Sequence, residues 1–177
     1  MRNLGRRIEA LERSQQAKGN KSLRIAEKAV GSLWPNDAEH LLQAYGAERM
    51  GRPLTEREAN AKQSYAEAVE RECRWAGVHP RAFEHTSIDH AAIRQAAIAV
   101  VACRISSEQL ELCKKGILAV QQGRRPSVAE TAATEAYCLE MERISKLAGF
   151  GGVKELEAVM HEVYLSESAD REESRLR

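Results

Sequence analysis

The stretch IDHAAIRQAAIAVVACRI, Ile88–Ile105, decides the fold. Between Ala91 and Ile105 only Arg94, Gln95 and Arg104 are polar, so a helix here is apolar nearly all round. Such a helix is either buried on most sides or crosses a membrane. Its eighteen residues rise about 27 Å, marginal for a bilayer, and Arg94-Gln95 would lie inside the hydrocarbon. A core helix surrounded by amphipathic neighbours is the expectation.

Those neighbours are legible on both sides. Every patterned segment has helical period, and none shows strand alternation. Upstream, a helix from Ser22 carries Leu23, Ile25, Ala26, Ala29, Val30 and Leu33 and ends at Pro35. Asp37 is expected to cap the next, which buries Leu41, Leu42 and Tyr45 and stops near Gly51-Arg52-Pro53. Thr55 with Glu58 forms a capping box, in which hydroxyl and carboxylate each satisfy an orphan N–H of the helix start. The helix it opens runs to Ala76, with Ala59, Ala66, Val69, Cys73 and Ala76 as its apolar stripe and Gly77 closing it. His79–Ser87 is expected to be irregular.

Downstream, Ser107 opens a helix with Leu110, Cys113, Ile117 and Val120 on one face, closed by Gly123. Ser127 with Glu130 is a second capping box, opening a helix that carries Val128, Ala132, Leu139 and Leu147. Gly149, Gly151 and Gly152 turn the chain into a last helix with Val153, Leu156, Met160 and Val163 in line. From Ser166 the chain is polar and densely charged, as a frayed tail would be. The expected architecture is all-α: a mostly antiparallel bundle of about seven to eight helices around the central apolar helix, preceded by an N-terminal helical arm. The expected divisions are 1–20 for the arm, 21–165 for the bundle and 166–177 for the tail.

Charge separates the arm from the rest. Met1–Lys28 holds eight basic residues against three acidic ones, a net of +5, within a chain of net charge +1. Leu4, Ile8 and Leu11 share one face of an arm helix, and Arg6, Arg7 and Arg13 flank them. The heptad then fails at Gln15 and Lys18, too short for a self-sufficient coiled coil. The seam therefore packs on its own bundle, on a partner protein or on a second copy. Leu4, Arg6, Arg7, Ile8, Leu11 and Arg13 are the expected partner-binding residues, apolar contact and charge steering acting together. The alternative is a nucleic-acid accessory role in which Arg2, Arg6, Arg7, Lys18 and Lys21 neutralise phosphates, binding that would fall steeply with salt. No finger, basic zipper or aromatic sheet accompanies the arm, and Ser106–Arg125 lacks the turn of a helix-turn-helix.

Signals for chemistry are weak. His79, His85 and His90, with Glu84 and Asp89, gather before the core helix, but spacings of six and five put no two histidines on one helical face. A solvated loop is the expectation there. Gly149–Lys154 lacks both the spacing of a phosphate-cradling loop and the preceding strand. No GxSxG occurs, the carboxylates alternate with cations as solvated faces do, and His161 has no second copy of a di-iron motif around it. No catalytic residue, metal or cofactor is assigned. The four cysteines show no CxxC pair and are expected to be reduced core residues of a cytoplasmic protein. Trp34 and Trp75, each near a helix end, are expected to close the ends of the core.

Met1–Arg13 is charged throughout, so no secretory leader is expected. The opening MRNLGRRIEALERS resembles the short, basic, Leu/Ile-seamed leaders of small phage and prophage proteins. That likeness covers fourteen residues and is compositional. It implies a virus-derived accessory role in the cytoplasm of a bacterial host and transfers no residue-level function. Non-enzymatic protein interaction, as an adaptor, inhibitor or oligomeric assembly factor, is the expected function, with no membrane partner.

Overall fold

The computed structural model describes residues 23–79 and 85–159, with the backbone alone at 85–88. Seven helices and no strand occur among them: α1 (23–31), α2 (Pro35–Arg49), α3 (Glu56–Trp75), α4 (His85–Arg104), α5 (Ser107–Gln121), α6 (Val128–Leu147) and α7 (153–159). The protein is an all-α, mostly antiparallel bundle. The arm of 1–20 and the tail of 166–177 lie outside the described residues.

The apolar helix is where its composition puts it. α4 buries Ala91, Ala92, Ile93, Ala96, Ala97, Val100 and Val101. Its widest contact is with α2, which buries Ala38, Leu41, Leu42, Ala44, Tyr45 and Ala47. The two run antiparallel: Tyr45 Oη donates to Asp89 Oδ1 at 3.0 Å near one end, and Arg104 Nη2 donates to Glu39 Oε2 at 2.9 Å near the other. α3 lies antiparallel on the opposite flank of α2. Lys62 Nζ meets Glu48 at 2.7 Å, and Arg71 Nη2 donates to Ser32 Oγ at 2.9 Å. The C-terminal half of α6 adds Met141, Ile144 and Ala148 to the same core, and α7 adds Leu156.

Helix starts follow their side chains. Thr55 Oγ1 accepts from the Glu58 N–H at 3.4 Å while Glu58 Oε2 accepts from the Thr55 N–H at 2.7 Å, and Ser127 with Glu130 does the same at 3.2 and 2.8 Å. A third box, Ser106 with Gln109, opens α5. Gln109 takes the role that a glutamate plays in the other two, so Ser106 is the cap and Ser107 the first helical residue. The start of α2 also differs from expectation. Trp34 is the N-cap and Pro35 the first helical residue, because a proline lacks the N–H that would be orphaned there and already has helical φ. Asp37 lies in the first turn instead, where its charge complements the helix dipole. α4 includes His85–Ser87, with no helix breaker between His85 and the core stretch.

Three expected stripes are rotated. In α3 the buried apolar positions are Ala61, Tyr65, Ala68 and Cys73, with Val69 half-buried against the core, while Ala59, Ala66 and Ala76 are exposed; Glu58 and Glu72 are buried as well. The largest side chain of that helix able to pack, Tyr65, sets its orientation, and alanines read alone carry too little area to do so. α5 turns Cys113, Gly116 and Ala119 toward α6 and leaves Ile117 and Val120 exposed. α6 buries Ala133 and Met141 and exposes Val128, Ala132 and Leu139.

Candidate functional site

The residues expected to bind a partner (Leu4, Arg6, Arg7, Ile8, Leu11 and Arg13) and those of the nucleic-acid alternative (Arg2, Lys18 and Lys21 besides) lie outside the described residues. The description begins at Leu23, which packs with Ala26 on Ala91 of α4. The outer face of α1 carries Arg24 and Lys28, both exposed.

Trp34 and Trp75 are not core residues: they are 78% and 76% exposed. Trp34 precedes Pro35 in the α1–α2 turn, and Trp75 is the last residue of α3, so each lies past the helices that would cover it. The antiparallel α2–α3 arrangement puts both at one end of the bundle. Arg71 bridges across that end to Ser32, and Arg74 is exposed beside it. The signal available in the sequence was the run Arg71–Trp75, where two arginines and a tryptophan share the last turn of a helix.

The second exposed surface is on the α5–α6 hairpin. The two helices pack closely through Gly116, where an added Cβ would lie 2.8 Å from Thr134 Oγ1 and 3.1 Å from the Glu130 carbonyl oxygen. That approach leaves a groove of about 350 Å³ lined by Gly116, Ile117, Val120, Gln121, Pro126, Thr131, Thr134 and Glu135. Val128 and Leu139 continue the α6 side of it, since 128, 131, 135 and 139 fall on one helical face. Ile117, Val120, Val128 and Leu139 are 43, 65, 89 and 67% exposed. Ile117 and Val120 from the stripe expected on α5, and Val128 and Leu139 from that expected on α6, therefore border this groove.

Several ion pairs join helices of the bundle. Burial pushes the Glu39 carboxyl up, but the guanidiniums of Arg143 (2.7 Å) and Arg104 (2.9 Å) outweigh it and hold its pKa below the ordinary value. Arg143 also grips Glu140 of its own helix at 2.6 Å, while its bond to Glu39 ties α6 to α2, and Arg104, 3.6 Å from Glu140, ties α4 to both. Glu58 takes both arms of Arg52, at 2.6 and 3.1 Å, which with Thr55 lowers its pKa to about 2. The glycine turn before α7 supplies its own anion: the Gly151 N–H donates to Glu155 Oε2 at 2.9 Å, so the carboxylate sits where a phosphate would. Neighbouring Ser145 Oγ is buried without a partner.

His79 is exposed and His90 half-buried. Among the described residues no group of three or more His, Cys, Asp or Glu side chains could hold a metal ion. No helix there is long and apolar enough to cross a membrane. All four cysteines are free, but only Cys73 and Cys113 are buried; Cys103 and Cys138 face outward, on flanks of α4 and α6 that no neighbour covers. No protein-family model matches the chain, and neither a curated protein nor a solved structure does.

Proposed function

We propose that this protein acts by binding another protein rather than by catalysis, as an adaptor, inhibitor or assembly factor of the accessory kind carried by phage and prophage, in a bacterial cytoplasm. The observation that carries the reading is the row Ile117, Val120, Val128 and Leu139, exposed along one side of the α5–α6 hairpin. Exposed apolar rows beside a groove mark interaction surfaces, because apolar area gains about 25 cal/mol per Å² on leaving water. The N-terminal seam of Leu4, Ile8 and Leu11, with Arg6, Arg7 and Arg13, would add a second contact.

Size-exclusion chromatography with light scattering tests it on untagged chain. A mass above the 19.7 kDa of one chain, from self-association or a co-purifying protein, supports the reading when Ile117→Asp/Leu139→Asp or removal of residues 1–18 abolishes it. A monomer that no variant alters, with no bound protein, argues against it.

A second reading, nucleic-acid binding, is favoured by the net +5 of Met1–Lys28. A high 260/280 nm absorbance ratio that collapses in strong salt would favour it.

A further inference from the structure

The α5–α6 hairpin carries its charge in two halves. Gly116 lies against Thr134, so residues 114–134 form the outer half, with the turn, and 107–113 with 135–147 the half nearer the core. The outer half holds Lys114, Lys115, Arg124 and Arg125 against Glu130 alone, a net of +3. The inner half holds Glu108, Glu111, Glu135 and Glu142 against Lys146, a net of −3, while its Glu140 and Arg143 pair with each other. Glu39 and Arg104, which reach that pair from α2 and α4, also cancel. Lys154, Glu155 and Glu157 of α7, beside the inner half, add one more negative charge.

The exposed apolar residues straddle the same midline. Val128 and Leu139 stand five to six residues on either side of the bond between Ala133 and Thr134, about 8 Å each way along α6. Ile117 and Val120 edge the groove of about 350 Å³ beside them. Charge that inverts about a midline, with an apolar row centred on it, is the pattern of a surface complementary to itself.

We propose that the occupant of this groove is the hairpin of a second copy, laid antiparallel about a two-fold axis through the midline. The inference rests on the interaction reading above and names its partner. An isologous pairing of this kind sets the +3 half of each copy on the −3 half of the other. Leu139 then covers the partner subunit's Val128, and the ridge of Val128, Thr131, Glu135 and Leu139 enters the facing groove.

Other occupants fit less well. A parallel copy would set like charge on like at both ends, and a partner of uniform charge would be repelled by one half. A small apolar ligand would fill the groove and leave Val128 and Leu139 in water. Size agrees with a dimer. Between residues 128 and 142 the open face is about 22 Å long and, two helices wide, about 20 Å across. Two such faces bury on the order of 1,000 Å², where specific interfaces begin, so the dimer depends on concentration.

Sedimentation velocity of the full chain over roughly a hundredfold range of concentration is expected to show the mass rising from the 19.7 kDa of one chain toward twice that. Leu139→Asp weakens the dimer about tenfold, with helical content unchanged by circular dichroism. Arg124→Glu/Arg125→Glu does the same by setting a negative tip on Glu142, and adding Glu142→Lys restores the dimer. On a Cys103→Ser/Cys138→Ser background, a mixture of Val128→Cys and Leu139→Cys chains oxidises to a disulfide-linked pair, and neither chain does so alone. A dimer that Leu139→Asp leaves intact, or that the reversed tip strengthens, overturns the antiparallel hairpin and places self-association elsewhere. A monomer at every concentration overturns it as well. If a co-purifying protein that Leu139→Asp releases is then found, the interaction reading stands without the dimer; with none, both fall.

Discussion

Gly46→Ala is the most exacting perturbation of this fold. Gly46 is buried in the last turn of α2, where that helix meets the end of α6. A Cβ there would collide with the Leu147 carbonyl oxygen and lie 3.0 Å from the Gly149 nitrogen. From the other side, a Cβ on Gly149 would lie 2.9 Å from Gly46 Cα, and Gly149 holds φ at +72°. Both obstacles are backbone, which has no rotamer through which to yield. Relief requires α2 to back away from α6, loosening Leu41, Leu42 and Tyr45 against α4. Overpacking of this kind costs about 3 kcal/mol at the upper end of its usual range. Replacing a helical glycine by alanine returns about 1 kcal/mol of helix propensity. The net expectation is a loss of about 2 kcal/mol, a drop in melting temperature of about 4–8 °C for a chain of this length.

Gly31→Ala is the matched control. No atom lies within 4 Å of a Cβ there, so the propensity gain appears alone, about 0.5 kcal/mol at a helix end. Thermal unfolding followed at 222 nm compares the two. Gly46→Ala melting at or above the parent temperature would refute the close crossing of α2 and α6.

The remaining expectations probe polar groups and thiols. Glu58 has a folded pKa of about 2 against an ordinary 4.5, so between those values the unfolded chain binds more protons; the stabilisation is full above about pH 5 and is lost as pH falls toward 2. Arg52 is exposed, so Arg52→Ala should lower stability only slightly at pH 7 but flatten the acid limb of a stability–pH curve; an unchanged limb would count against the pairing. Tyr45 and Tyr65 form a contrast, since Tyr45 Oη donates to Asp89 whereas the Tyr65 hydroxyl is buried without a partner. Tyr45→Phe should lose about 1 kcal/mol and Tyr65→Phe nothing, or gain slightly, in urea unfolding; equal losses would contradict it. With a thiol reagent on the native protein, Cys103 and Cys138 should react quickly, and Cys73 and Cys113 only on unfolding, burial also pushing the Cys73 thiol pKa up. Four fast thiols would refute the burial pattern.

How far the fold could be read in advance depends on which kind of signal each element carries. Caps are local: Thr55 with Glu58 and Ser127 with Glu130 meet within one turn whatever the rest of the chain does, so they locate the starts of α3 and α6 directly from sequence. The box at Ser106 is equally local, with glutamine in place of glutamate at the third position. The near-continuous apolar run of α4 also needs no partner to be recognised as core. Helix faces are different, because a face is defined by a neighbour. α3 has alanines on several sides, and only its packing on α2 decides that Ala61 and Ala68 go in while Ala59 and Ala66 go out. Trp34 and Trp75 were misassigned for the same reason: size argues for burial, but each follows or precedes the last turn that would cover it. The expected arm residues were chosen for charge and spacing, and nothing in the fold of residues 23–159 bears on them.

The hairpin shows what such a misassignment means physically. Helices approach most closely through their smallest side chains, and α5 offers α6 the set Cys113, Gly116 and Ala119. Choosing that seam rotates Ile117 and Val120 aside, and the partner rotation of α6 does the same to Val128 and Leu139. Where α5 and the N-terminal half of α6 face mainly each other, each buries one face, so the close-packed seam and the row of large apolar residues compete for it, and here the small residues win. The regular period of the larger residues is then still information. It describes a surface that gains by being covered, and among the described residues no helix covers it. For that reason the row on α5 and α6, read from sequence as core, carries the interaction reading here: the periodicity was sound, and its face was the part that only the packing could supply.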